Sequence, residues 1–408
     1  MNKKIFVLLN LILALAAGSA SAQGGDPVTD LRGNCGNFRN VSTYGDDNRE
    51  EYCSSNLILR DLADSVAGFF TDQSSVTLTG KPYVFGATTL GQAASVAPDQ
   101  RFVNQPAAAF CTGFLVGADL MVTAGHCVKD QQPAGAAVPK DHAAACQQNT
   151  QQGDFCENIR VVFGFRKDLG GVIPRSAPAR NVYKCAKVIS HSLASGPDYT
   201  LIRLDRKVAD RLPLAINRGN KGLSGKTPLF VIGHPSGLPL KIAGDASVIS
   251  VDTDVYVNDN YGISRKWSDK GYAFLTNLDT FHGNSGSPVF NLNTLLVEGI
   301  LVSGDNDYED HPDYEGQSQV TNYPQQPVSD MGKGVGEVCT KISVPAAKIP
   351  ANRREKDMLD MNAKAKGKLY PAMLKYLIKR VEQAQPSGII PIPNYIVPAK
   401  PEPSVQWI

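Results

Sequence analysis

The chain has 408 residues, of which 42% are hydrophobic and 20% charged, with Lys and Arg (41) nearly balanced by Asp and Glu (39) for a formal net charge of +2. That balance gives no electrostatic footing for nucleic acid or an anionic membrane surface as a partner. The apolar content suffices for a large core, at a length where one chain begins to hold more than one packed unit.

The amino terminus reads as a secretory signal over residues 1–22: Lys3 and Lys4, the apolar run Ile5 to Ala17, then Ala20-Ser21-Ala22. Cleavage is expected before Gln23, with export to the periplasm or the exterior. No later segment approaches the roughly 20 apolar residues of a membrane span. Residues 23–83 form a leader segment, either a propeptide or a permanent extension packed on the rest of the protein. Within it Leu57, Leu59, Leu62, Val66 and Phe70 recur at near-helical spacing and predict a short helix.

Downstream the pattern changes to short strands separated by turn signals, with no helices alternating between them, which predicts an all-β protein of barrel type. Strands are expected near Phe114 to Thr123, Ile159 to Phe165, Ala186 to Ser190 and Thr200 to Asp205. A second group runs near Pro228 to Gly233, Ala246 to Val251, Ala273 to Thr276, Pro288 to Phe290, Leu295 to Val302 and Val338 to Ser343. In Thr123-Ala124-Gly125-His126-Cys127 the histidine ends the first of these strands. Asp198 opens the alternating run Asp198-Tyr199-Thr200-Leu201-Ile202-Arg203-Leu204. In Gly283-Asn284-Ser285-Gly286-Ser287-Pro288-Val289-Phe290 two glycines let the backbone bend at Ser285 before an apolar strand. A serine nucleophile needs a base, and the base an orienting carboxylate; His126, Asp198 and Ser285 supply these types in that order. An α/β-hydrolase would run Ser, Asp, His around G-x-S-x-G, whereas here Ser287 occupies the place of the second glycine.

The TAGHC, DYTLIRL and GNSGSPVF segments resemble the three catalytic segments of chymotrypsin-like serine proteases, and the GNSGSP form is similar to bacterial glutamyl endopeptidases and their trypsin-like relatives. The resemblance spans about residues 84–345. It implies two six-stranded antiparallel β-barrels, about 84–215 and 226–345. It also implies that Ser285 is the nucleophile, His126 the general base and then acid, Asp198 the group that orients the imidazole, and the Gly283 and Ser285 N–H groups the oxyanion hole. It places Asp279, Thr280, Ser303 and Gly304 in the primary substrate pocket. Asp279, six residues before Ser285, stands where trypsin-like enzymes carry the carboxylate that pairs with Lys or Arg. Leu301 stands where glutamyl endopeptidases use a histidine, so a basic preference is expected over an acidic one. Asn284 departs from the trypsin-like pattern, in which an aspartate before the nucleophile binds a newly freed terminal ammonium; an amide cannot form that ion pair.

The same resemblance pairs Cys111 with Cys127. Nearness in sequence suggests Cys35 with Cys53 and Cys146 with Cys156, which leaves Cys185 with Cys339. No clustered Cys/His spacing points to zinc, and no metal or cofactor is expected. The acidic run Asp305-Asn306-Asp307-Tyr308-Glu309-Asp310, with Asp313 and Glu315, lacks EF-hand spacing and reads as a solvated rim. His234, between Gly233 and Pro235, reads as a structural turn residue. Residues 346–408 are expected to form a helix docked on the second barrel and then a Pro-rich extended tail.

The expectation is a secreted, monomeric serine endopeptidase acting on proteins or peptides, with a preference for cleavage after Lys or Arg. A Glu-specific endopeptidase, an esterase and a catalytically silent binding protein on the same fold are the alternatives.

Overall fold

The computed structural model describes residues 47–71, 82–129, 156, 158–193, 197–219, 222–251, 255–258, 264–267, 271–323 and 336–365. The expected signal peptide, the leader up to 46 and the Pro-rich tail lie outside these. Strands in chain order are β1 (Glu50–Glu51), β2 (Val66–Thr71), β3 (Tyr83–Val84), β4 (Cys111–Leu115), β5 (Leu120–Thr123), β6 (Ile159–Phe163), β7 (Ser176–Ala177), β8 (Val182–Tyr183), β9 (Cys185–Ser192) and β10 (Tyr199–Leu204). They continue with β11 (Pro228–Gly233), β12 (Lys241–Ser250), β13 (Val255–Asn258), β14 (Ser264–Trp267), β15 (Ala273–Thr276), β16 (Pro288–Asn291), β17 (Val297–Ser303), β18 (Tyr308–Asp310), β19 (Ser318–Val320) and β20 (Glu337–Lys341).

The carboxy-terminal barrel closes: β12, β11, β16, β17, β20 and β15 pair in that order and β15 returns to β12, all antiparallel. Closure leaves those six strands no open edge, and Leu229, Val231, Val248, Phe274, Val289 and Leu301 fill the interior. The other sheet, in the order β8-β6-β2-β4-β5-β10-β9, has seven strands and stays open, a half-barrel. The expectation of two closed six-stranded barrels therefore holds for the second alone.

Two sequence readings are corrected by the pairing. The stretch near Phe114 to Thr123 is a hairpin, because Gly117-Ala118-Asp119 turns the chain and Val116 N–H bonds back to Leu120 C=O. The leader also enters the barrels. After a helix α1 (Leu57–Ala63), whose Asn56 cap accepts from the Ile58 and Leu59 N–H groups, Val66 and Phe70 leave the helical stripe and lie in β2. The aromatic and β-branched residues there suit a strand, and β2 pairs with β4 on one side and β6 on the other. The amino-terminal barrel thus starts by Val66, well before residue 84, while β1 edges the other barrel against β12.

Helix α2 (Leu90–Ala94) carries a Thr89/Gln92 capping box, α3 (His126–Lys129) follows β5, and α4 (Arg353–Ala365) is the expected carboxy-terminal helix. α4 touches both barrels and the crossing between them. Arg354 pairs with Asp61 of α1, Glu355 with Arg218, Asn362 Nδ2 donates to Thr294 C=O at 3.0 Å, and Met358 is fully buried.

Cys111 and Cys127 form a disulfide, as expected from the resemblance. The other pairings are corrected: Cys156 bonds Cys185, and Cys339 is a buried thiol in the core of the closed barrel. Strand pairing decides this, since β20 is held between β15 and β17, away from Cys185 at the start of β9. Cys53 is disulfide-bonded too, and its expected pairing with Cys35 falls outside the described residues.

Candidate active site

The register of two strands brings His126 and Asp198 together. β5 and β10 run antiparallel with Thr123 opposite Thr200, so two residues beyond that pair on each chain segment Gly125 faces Asp198. A Cβ on Gly125 would sit 2.3 Å from Ser192 C=O and 2.8 Å from the Asp198 carboxylate, so the approach requires glycine. Asp198 is buried and accepts from the Gly125 N–H, from the His126 N–H at 3.2 Å and from the His126 ring nitrogen Nδ1 at 2.8 Å. An ionised carboxylate only accepts, so Nδ1 carries the proton and Nε2 is the basic nitrogen.

Ser285 lies at the bend before β16, half-buried, and its backbone is anchored to the other barrel. Its C=O accepts the Thr112 N–H at 2.9 Å and stands 3.6 Å from Cys127 Sγ, next to His126. Thr112 also holds the Ser285 loop from below, donating its hydroxyl to Gly283 C=O at 2.9 Å and accepting the His234 N–H at 3.1 Å.

The 282–283 and 284–285 peptides are pinned through their carbonyls. His282 C=O accepts the Ser236 N–H at 2.5 Å, and Asn284 C=O accepts the Ser287 N–H at 2.8 Å. In a trans peptide the N–H points opposite the C=O. The Gly283 and Ser285 N–H groups are thereby turned away from these bonds, and neither has an acceptor among the described residues. Gly283 holds φ +94°, and a Cβ there would lie 2.6 Å from His234 C=O. His234 is a buried turn residue as expected: its Nδ1 donates to Leu238 C=O at 2.9 Å, and burial lowers its pKa to about 4, so it stays neutral.

Of the four predicted pocket residues, Thr280, Ser303 and Gly304 gather around Glu337, which sequence reasoning missed. Thr280 donates its hydroxyl to Glu337, Ser303 pairs with the adjacent Val338, and the Glu337 carboxyl fills the space where a Gly304 side chain would stand. Glu337 is buried, and loss of solvent followed by the charges of Asp307 and Asp305 pushes its pKa well above the carboxylate range. Asp279 is buried on the other side of Thr280, where its carboxylate accepts the Asn48 N–H at 3.3 Å. The acidic run is only partly a solvated rim: Glu309 and Asp310 are exposed, but Asp307 turns in to accept the His282 N–H at 2.7 Å. Burial raises its pKa to about 7.

The Cys111 and Cys127 sulfurs lie within 4.8 Å of a His126 ring nitrogen, but the disulfide leaves no thiolate there to bind a metal.

The family model for the trypsin-like peptidase domain matches residues 111–300. Among solved structures, the chain is similar to the active form of the Rv3671c protease from M. tuberculosis, at 14% identity over 73% of this chain and 86% of that one, with a TM-score of 0.37. It is likewise similar to the VesB protease of Vibrio cholerae, at 15% identity over 74% and 66%, with a TM-score of 0.39. No curated protein sequence matches.

Proposed function

We propose that the chain, whose residues 111–300 match the model of the trypsin-like peptidase domain, is an exported serine endopeptidase whose catalytic group is Ser285, His126 and Asp198. Nε2 of His126 takes the Ser285 proton as Oγ attacks the scissile carbonyl, while Asp198 holds the Nδ1 tautomer and stabilises the imidazolium. The Gly283 and Ser285 N–H groups receive the oxyanion. His126 then protonates the leaving amine, and water attacks the acyl-enzyme by the reverse path. The observation that carries this reading is the His126 Nδ1 bond to a buried Asp198, itself fixed by two backbone N–H groups. Labelling by a fluorophosphonate should occur in the wild type and vanish in Ser285→Ala; equal labelling of both removes Ser285 as nucleophile. Hydrolysis of a protein substrate separates this reading from an esterase, and complete absence of turnover would favour a binding protein on this fold.

Specificity is proposed for Lys or Arg. Buried carboxylates, Asp279 and Glu337, flank Thr280, and a substrate cation would offset the desolvation of such groups. Peptides ending in Arg, Lys or Glu, compared by kcat/KM, test it; a preference for Glu overturns the assignment.

A further inference from the structure

The segment Asp47 to Glu51 sits at the back of the nucleophile loop, and its contacts are built from charge in a buried place. Arg49 is 1% exposed, and its Nε and Nη2 donate to the two oxygens of Asp47 at 2.9 Å each. Arg101 closes the other side, donating to the Asp47 and Arg49 carbonyls at 2.6 and 2.8 Å and pairing with the Asp47 carboxylate at 2.9 Å. The Arg49 guanidinium lies 3.9 Å over the ring of Phe281. Phe281 is two residues from Gly283, and its C=O accepts the Asn284 N–H at 2.9 Å. Its ring also packs on Tyr308, whose hydroxyl bonds Ser236, the residue whose N–H holds the His282 carbonyl. Next to Arg49, the Asn48 N–H reaches Asp279. Further along, Glu51 pairs with the buried Lys241 at 3.0 Å and β1 pairs with β12, while Asn48 Nδ2 donates to Gly244 C=O of β12 at 2.8 Å.

Asn284 provides no carboxylate for a terminal ammonium to engage, yet the loop around it needs something to hold it. An internal guanidinium in a low-dielectric setting, stacked on the residue that precedes the oxyanion turn, is positioned to do so. We propose that residues 47–51 are a built-in strap that holds the nucleophile loop in its working arrangement, with Arg49 as the positioning residue. The peptidase is then competent without a newly cut amino terminus, and a cut within or just after the strap inactivates it. This rests on the peptidase reading above.

The test uses the full chain. Arg49→Ala should lower kcat/KM at least tenfold, mainly through kcat, counted per site titrated with fluorophosphonate at a temperature well below the variant's unfolding. Arg49→Lys, which keeps the charge but not the paired donors, should fall between. Chain shown by intact mass to be uncut between residues 23 and 46 should label as fast as chain processed within that stretch, whereas chain cut between residues 47 and 52 should not label. Wild-type kcat/KM per titrated site in Arg49→Ala overturns the proposal, as does labelling that appears only after a new amino terminus is made. If Arg49→Ala does not fold, Asp47→Asn and the uncut-chain measurement decide by the same criteria. Loss of the strap's effect with Ser285-dependent labelling intact refutes the strap alone; absence of labelling in every form refutes the peptidase reading instead.

Discussion

Replacing Thr112 by Val removes one hydroxyl at nearly constant shape from a fully buried position on β4. That hydroxyl donates to Gly283 C=O and accepts the His234 N–H, so both groups lose their partner in a place closed to solvent. A buried unsatisfied backbone group costs about 1–3 kcal/mol, and two of them should lower the stability in urea by about 2–6 kcal/mol. The catalytic effect comes from the same bond. An oxyanion donor is worth about 10²–10³ in rate, and loosening the turn that presents Gly283 N–H without deleting it should cost about tenfold in kcat, with KM little changed. The assay is steady-state hydrolysis of peptide anilides beside urea unfolding, with Thr112→Ser, which keeps the hydroxyl, as the control near wild type. Thr112→Val with wild-type kcat would show that this bridge between the barrels does not hold the oxyanion turn.

Asp198→Asn should lower kcat by about 10⁴, because an amide can stabilise the wrong imidazole tautomer; single-turnover acylation measures it. Glu337→Gln should cut the preference for Arg over a neutral residue by about 10- to 100-fold, as measured by the ratio of kcat/KM values, while leaving the neutral substrate unaffected. In the wild type that ratio should rise between pH 6 and 8, since Asp307, pushed up to about 7 by burial, gains its negative charge in that window beside the pocket. Stability should fall as pH drops from 6.5 toward 4, because the unfolded chain protonates His234 throughout that window and the folded chain does not. The span amounts to about 3 kcal/mol. It appears as the difference in unfolding free energy between wild type and His234→Asn, and equal slopes for the two would refute it.

The strands were legible because a short apolar run bounded by turn residues is a local signal, and β11 and β15 fall where such runs place them. The nearness of His126 and Asp198 was legible for a similar reason, since each stands in a short segment at the end of a strand whose neighbours mark it. The end of α1 was not, since Val66 and Phe70 fit a helical stripe as well as a strand, and only pairing with β4 and β6 decides between them.

The amino-acid order by itself determined where His126, Asp198 and Ser285 would stand, each along its own strand or bend. Tertiary structure decided what each one meets: Cys156 bonded to Cys185, Glu337 against Thr280, and Arg49 stacked on Phe281. These partners are far apart in the chain. Their contact depends on strand register and on which edge of a sheet is left open, and those are fixed by the packing of the whole fold, with no mark in the sequence beside either residue.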